Sequence, residues 1–127
     1  ANIYYCKKPS RSEREEGCDD LPSLTGAQTV NRKEGSKGLQ NPRAGAGRTA
    51  EDVKNIHPTV KPIKLMRQLV KLMVPNPNES VVFEPFCGSG TTLIAAELEG
   101  VSCVAVEKEE RYCDIIRARF TSTQEDQ

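Results

Sequence analysis

The chain has 127 residues, with 18 Lys and Arg against 18 Asp and Glu, so its formal net charge is zero. That length suits one domain, and the neutral total excludes a bulk field that would draw the protein to nucleic acid or to an anionic membrane. No apolar run approaches the ~20 residues that span a bilayer, no signal peptide opens the chain, and Ala1 stands where a start methionine is expected, so a piece of a longer protein is expected.

Residues 1–6, ANIYYC, are short, aromatic and β-prone, and predict a strand. From Lys7 to about Ile56 the pattern dissolves. Few large apolar residues occur there, too few to offset the entropy of ordering. The expected organisation is a strand and linker over 1–19, a polar, basic and flexible insert over 20–56, a ligand-binding part over 57–120 and a tail over 121–127. Within the insert, Arg32, Lys33, Lys37, Arg43 and Arg48 stand against Glu34 alone over residues 31–48. That local excess reads either as a solvated linker or as a loop that lies on phosphates.

Order returns at Pro58. Ile63, Met66, Leu69, Val70 and Met73 share one helical face, and Lys64, Arg67, Gln68 and Lys71 the opposite one. Pro62 suits the first turn of that helix, and VPNPN stops it. The basic stripe Lys61, Lys64, Arg67 and Lys71 reads first as a solvated face. SVVFEPF follows as a strand, and its unbroken apolar run points to burial on both faces, as in a parallel sheet. TTLIAAELEG predicts a helix closed by Gly100. VSCVAVE is a second strand. KEERYCDIIRARF is a last helix, with Tyr112, Ile115, Ile116 and Phe120 toward the core, Glu109 and Glu110 at its start, and Arg117 and Arg119 at its end, in accord with the helix dipole. Residues 80–120 thus predict a right-handed strand-helix-strand-helix unit, the beginning of a doubly wound α/β sheet.

The five cysteines are odd in number and lack C-x-x-C spacing. Reduced thiols in a cytoplasmic protein are the default for such a set, and neither a metal site nor a disulfide framework is expected. His57 is the only histidine, which excludes histidine pairs.

Gly88 and Gly90 lie between the first strand of the unit and its helix, at the edge where open α/β sheets bind ligands. Glycine permits the turn and leaves no Cβ between backbone and ligand. Glu107 ends the next strand, where a carboxylate can accept hydrogen bonds from both hydroxyls of an adenosine ribose. Together they form a nucleoside-cofactor constellation. A dinucleotide fingerprint would place glycine where Leu93 stands, and a P-loop would place lysine where Thr91 stands, so both phosphate readings are weak.

HPTVKP (57–62), EPFCGSGTT (84–92) and VAVEKEERYCDIIRARF (104–120) resemble the carboxyl-terminal half of DNA amino-methyltransferases. These enzymes methylate adenine N6 or cytosine N4, and the resemblance is to the permuted class whose cofactor region follows its catalytic region. KKPSRSEREEGC (7–18) is similar to the segment before HPTVKP in phage-type and prophage-type members. The resemblance implies a partial Rossmann-like methyltransferase fold with an incomplete sheet, S-adenosyl-L-methionine as cofactor, and double-stranded DNA as partner in a restriction-modification setting. Phe86, Gly88, Ser89 and Gly90 would line the cofactor pocket, and Thr91 would open the helix beneath its methionine part. Glu107 would take the ribose hydroxyls, and His57, Thr59 and Lys61 would fold over the methionine end. Glu84 stands where the family usually has aspartate, and would reach toward the cofactor's ammonium with one methylene more. For His57 the resemblance implies a structural hydrogen-bonding role, with proton transfer or a plain surface position as the other readings.

The family's catalytic motif, Asp/Ser/Asn-Pro-Pro-aromatic, has no counterpart in this sequence, so no catalytic residue is assigned. VPNPN is no substitute, because its prolines are not adjacent and no aromatic residue follows. The chain is therefore expected to need the amino-terminal half of a larger methylase, or a partner chain that carries it. Two other readings stand beside this one. The first is a non-catalytic S-adenosylmethionine-binding or DNA-associated remnant. The second is a fragment of a dinucleotide-binding oxidoreductase, which Leu93 and HPTVKP disfavour.

Overall fold

The computed structural model describes residues 5–29 and 52–125. The elements in chain order are α1 (Arg11–Glu15), α2 (Gly26–Thr29), α3 (Ile63–Met73), β1 (Val81–Glu84), α4 (Thr91–Leu98), β2 (Ser102–Ala105) and α5 (Glu110–Glu125). The strand expected over 1–6 lies mostly outside the described residues, and Tyr5 and Cys6 are not in a strand. Most of the insert expected over 20–56 also lies outside them.

β1 and β2 pair in parallel, with Val81 opposite Ser102 and Glu84 opposite Ala105. The ladder runs on past both strands, since Val106 donates its N–H to the Glu84 carbonyl and Cys87 donates to the Val106 carbonyl, each at 2.9 Å. The connection between them is α4, which makes this the expected β-α-β unit of a small α/β fold with an incomplete sheet. α4 ends as its sequence predicts. Gly100, at φ 67°, donates to the Glu97 carbonyl, and Val101 donates to the Ala96 carbonyl, which is the paired hydrogen bonding of a Schellman ending.

The core lies between α3, α4 and one face of the sheet. Val70, Ala95, Ala96 and Val101 are buried there, with Met66, Val74, Val82 and Cys103 packed against them. Ala95 and Ala96 are small enough for α3 to approach α4 closely. The same helices are joined at the surface, where Arg67 and Lys71 both pair with Glu99 at the carboxyl end of α4. The Arg67 hydrogen bond is the main cause that holds the Glu99 carboxyl below its usual range. Half of the basic stripe is thus engaged in helix packing, whereas Lys61 and Lys64 are exposed.

Burial of the strands on both faces is not what the structure shows. Val81, Phe83 and Val104 are 62%, 65% and 54% exposed. The apolar run is two-sided, but helices among the described residues cover one side only. On α3, Leu69, Leu72 and Met73 are likewise exposed, so its apolar face is only partly covered.

α1 arises in the stretch that hydrophobic periodicity left blank. Ser10 caps it by accepting the Glu13 N–H at 3.1 Å, a Ser-x-x-Glu start. Its residues then hold the segment that leads into α3. Glu13 accepts the Ile63 N–H at 2.7 Å, supplying a cap that Pro62 cannot provide. Glu15 accepts from Lys54 N and Asn55 N. After α1 the chain turns at Gly17, at φ 74°, against α5. A Cβ there would lie 2.8 Å from the Ala118 carbonyl oxygen and 2.8 Å from Ser122 Cβ.

Two glycine substitutions separate strain from clash. Gly100 has nothing within 4 Å of a built Cβ, so Gly100→Ala carries only the left-handed backbone cost of about 1–2 kcal/mol. Gly17→Ala carries the same cost plus the clash with α5. Denaturant unfolding of the two variants is expected to show Gly17→Ala as the more destabilised, and equal losses would mean that the α1–α5 contact yields freely.

Candidate functional site

The site forms where the carboxyl ends of β1 and β2 meet the starts of α4 and α5. Gly88 and Gly90 take φ 60° and 81°, which side chains with a Cβ adopt only under strain. Space demands glycine as well. A Cβ on Gly88 would lie 2.7 Å from His57 Nε2, and one on Gly90 would lie 3.3 Å from the Ile116 side chain. The His57 ring therefore lies directly against the bare backbone of the turn.

Glu107 joins this turn to the second strand. One carboxylate oxygen accepts the Gly88 N–H at 2.8 Å, and the other accepts from Lys108 N and Glu109 N, each at 2.9 Å. The carboxylate thus also satisfies free donors at the start of α5. These bonds, the Glu109 N–H first, hold its carboxyl below the usual range. A carboxylate has about four acceptor directions. With three occupied, one remains, on the oxygen that faces Gly88. An apolar cleft of about 470 Å3 opens beside it, lined by Leu93, Val106, Cys113 and Ile116 among others.

Glu84 uses its extra methylene to turn back on its own loop. One oxygen accepts the Phe86 N–H at 3.1 Å, and the other accepts the Thr92 hydroxyl at 2.9 Å. Cys87 is buried, which pushes its thiol up to about 12, so it stays protonated and inert at neutral pH.

His57 is placed from several sides. Its Nδ1 accepts the Thr59 N–H at 3.3 Å, which leaves the neutral ring's hydrogen on Nε2, toward Gly88. Its ring meets Tyr112 of α5 edge-on, with centroids 4.6 Å apart. Its carbonyl accepts from Arg14, and its N–H goes to the Asn55 side chain. Asn55 is fully buried and donates in turn to the Arg14 carbonyl at 2.7 Å. Burial pushes the imidazole below its ordinary 6.5, against an upward pull from Glu107.

The structure thus brings His57, Gly88 and Glu107 together, with Thr59 on the His57 ring. Ser89 and Thr91 are each only 4% exposed, with hydroxyls 3.5 Å apart, and they face inward. Phe86 is 87% exposed, and Lys61 is also on the surface. Three contributors were not read as site residues in the sequence: Asn55, Arg14 and Arg119. The dipole assignment for Arg119 is corrected outright. α5 runs on to Glu125, and Arg119 is 2% exposed, donating to the Ser89 carbonyl at 2.6 Å and to Thr91 Oγ1 at 3.3 Å. Among the described residues, no cluster of three or more His, Cys, Asp or Glu could hold a metal ion, and no helix is long and apolar enough to cross a membrane.

A parallel β-α-β unit with a glycine turn and an acid at the second strand end places the chain among small α/β folds with an incomplete sheet. The DNA methylase family model, of the N6/N4 methyltransferase type, matches residues 4–118, and the chain belongs to that family. It is 36% identical over 70 residues to the type II methyltransferase M.HinfI of Haemophilus influenzae, covering 55% of this chain and 19% of that protein. It is 32% identical over 77 residues to M.ScaI of Streptomyces caespitosus, covering 61% and 24%. With M.HindIII of Haemophilus influenzae it shares 47% over 49 residues, covering 39% and 15%. The chain therefore spans a quarter or less of the length of these relatives. No solved structure matches it.

The lowered His57 pKa has a signed consequence. Between its folded value and 6.5 the unfolded chain binds the extra proton and the folded one does not, so stability rises with pH through that window. Glu107 is depressed from 4.5 and loses its contribution only at lower pH. The melting temperature is expected to fall as pH drops from 7.5 to about 5.5, and His57→Gln, removing the only histidine, is expected to flatten that slope. Equal slopes would show that His57 is not the group responsible.

Proposed function

We propose that this chain forms the S-adenosyl-L-methionine-binding part of a DNA amino-methyltransferase that acts on adenine N6 or cytosine N4, in the permuted arrangement where the catalytic loop precedes it. The observation that carries this reading is the Glu107 carboxylate. It is fixed by three backbone N–H groups at the carboxyl end of β2, with one acceptor direction left beside the glycine turn. That direction suits one ribose hydroxyl. To take both hydroxyls, the carboxylate would have to release the Gly88 N–H or one of the Lys108 and Glu109 N–H groups. His57, Thr59 and Lys61 form the wall over the methionine end, and Phe86 and Glu84 border the turn. Ser89 and Thr91 shape it from within, together with Gly90.

When bound, S-adenosylmethionine supplies an electrophilic methyl group. This chain's residues orient the donor. They do not activate the acceptor, because no Pro-Pro-aromatic loop is present to hydrogen-bond an exocyclic amine and stack a flipped base. That loop would come from an amino-terminal half or a partner chain. The uncovered face of β1 and β2 and the groove of about 580 Å3 between α3 and β1 are where such a part would pack. DNA is the proposed substrate of the assembled enzyme.

Calorimetric titration with S-adenosylhomocysteine, and with NAD as control, tests the cofactor reading. Binding of the first alone is expected, and Glu107→Ala is expected to weaken it by about 1.5–3 kcal/mol, the scale of a hydrogen bond to a charged group. No binding, or binding unchanged in the variant, would reject the assignment. Labelled-methyl transfer to mixed-sequence DNA is expected only after an amino-terminal half is added, because positioning of the acceptor is otherwise lost. Steady turnover by the chain alone would mean that a catalytic group lies within it.

A further inference from the structure

We infer that Arg119 is the positioning residue of the glycine turn. It locks the Ser89–Gly90 peptide plane from behind. This rests on the cofactor reading above and adds a residue which that reading does not use.

The guanidinium is 2% exposed, yet only Nη1 makes hydrogen bonds, to the Ser89 carbonyl and the Thr91 hydroxyl. Nε and Nη2 are buried and find no acceptor among the described residues. Burying a charge so incompletely satisfied is unfavourable, and even fully paired buried ions are often replaced by apolar residues of similar volume without loss of stability. Fold stability alone therefore gives a poor account of an arginine here.

What Nη1 does at Ser89 gives a better one. The Ser89 C=O and the Gly90 N–H belong to one planar trans peptide and point opposite ways. The C=O is held by Arg119 at 2.6 Å, and the N–H donates to the Cys87 carbonyl at 3.0 Å. The plane is pinned at both ends, within a turn whose glycines take left-handed conformations. Arg119 also belongs to a stripe on α5. Tyr112 touches His57, Ile116 lies against Gly90, and Arg119 holds Ser89. These positions fall at i, i+4 and i+7, on one helix face. One helix thus sets both the wall and the floor of the turn, and Arg119 is its only charge-assisted bond to the turn's backbone among the described residues.

The test compares Arg119→Met and Arg119→Lys with the wild-type chain by two readouts. The first is amide hydrogen exchange in the free protein. Arg119→Met is expected to speed exchange at Gly88 and Gly90 by about tenfold or more, the scale of one lost charge-assisted hydrogen bond, with 81–84 and 102–105 unchanged. Arg119→Lys is expected to recover part of that protection through a single N–H. The second readout is S-adenosylhomocysteine affinity, expected to fall about tenfold or more in Arg119→Met on the same scale. A uniform rise in exchange across the chain would make Arg119 a fold residue and overturn the proposal, as would no change at the turn. If Arg119→Met does not fold, the same local-against-uniform comparison in Arg119→Lys decides. If the wild type does not bind S-adenosylhomocysteine, the cofactor reading fails, while the exchange comparison still decides the role of Arg119.

Discussion

The Gly88 N–H bonded to Glu107 is the contact on which the site depends. It ties the end of β1 to the end of β2 through a carboxylate that is itself fixed by the Lys108 and Glu109 amides just before α5. Two short strands pairing over four positions make a weak platform alone. This bond extends the connection beyond the ladder and sets the spacing between the glycine turn and α5. Given that spacing, a Cβ on Gly88 would clash with His57, and one on Gly90 would press on Ile116. His57 presses from one side and Ile116 from the other. The glycines are therefore dictated by packing within the chain as well as by any ligand.

The β-α-β unit was legible in the sequence because its signals are local. Apolar runs, a glycine turn and Gly100 mark β1, α4 and β2 at nearly their observed ends. α1 was not, because hydrophobic periodicity was the criterion and α1 buries no residue. Its signal is the Ser10-x-x-Glu13 start, which is polar. Glu107 and the glycines were legible as a constellation, since each sits at a strand or turn end, whereas His57 was named only through the resemblance that HPTVKP carries. Asn55 and Arg119 were not, because each is a polar residue made structural by partners far off in sequence. Arg14 lies 41 residues from Asn55, and Ser89 lies 30 from Arg119. Arg119 near a helix end reads as a dipole partner until the helix is seen to continue past it.

The mismatch between apolar sequence and exposed surface is the other informative feature. Val81, Phe83 and Val104 point away from α4, and Leu72 and Met73 extend from α3. Each carries apolar area worth burying at roughly 25 cal/mol per Å2, and nothing in the described residues buries it. The opposite face is closed by small residues, with Ala95 and Ala96 fully buried. A strand sequence that is apolar on both faces, with one face well packed and the other open, is that of an interior strand of a wider sheet. This agrees with a chain that spans a quarter or less of its relatives.

The two halves of the chain therefore contribute unequally to the site. β1, α4 and β2 supply its backbone through local sequence. The placement of His57 over that turn depends on the amino-terminal segment, because α1 holds residues 54–63 through Glu13, Arg14 and Glu15 before α3 begins. The chain just after α1 packs at Gly17 against the stretch of α5 that carries Arg119. α5 thus fixes the turn directly through Arg119 and indirectly through α1, Asn55 and His57. A displacement of α5 would move both sides of the turn together, so the geometry of the pocket is set by where that one helix sits against β2, and Glu107, which lies just before the helix and holds Gly88, is where that position is fixed.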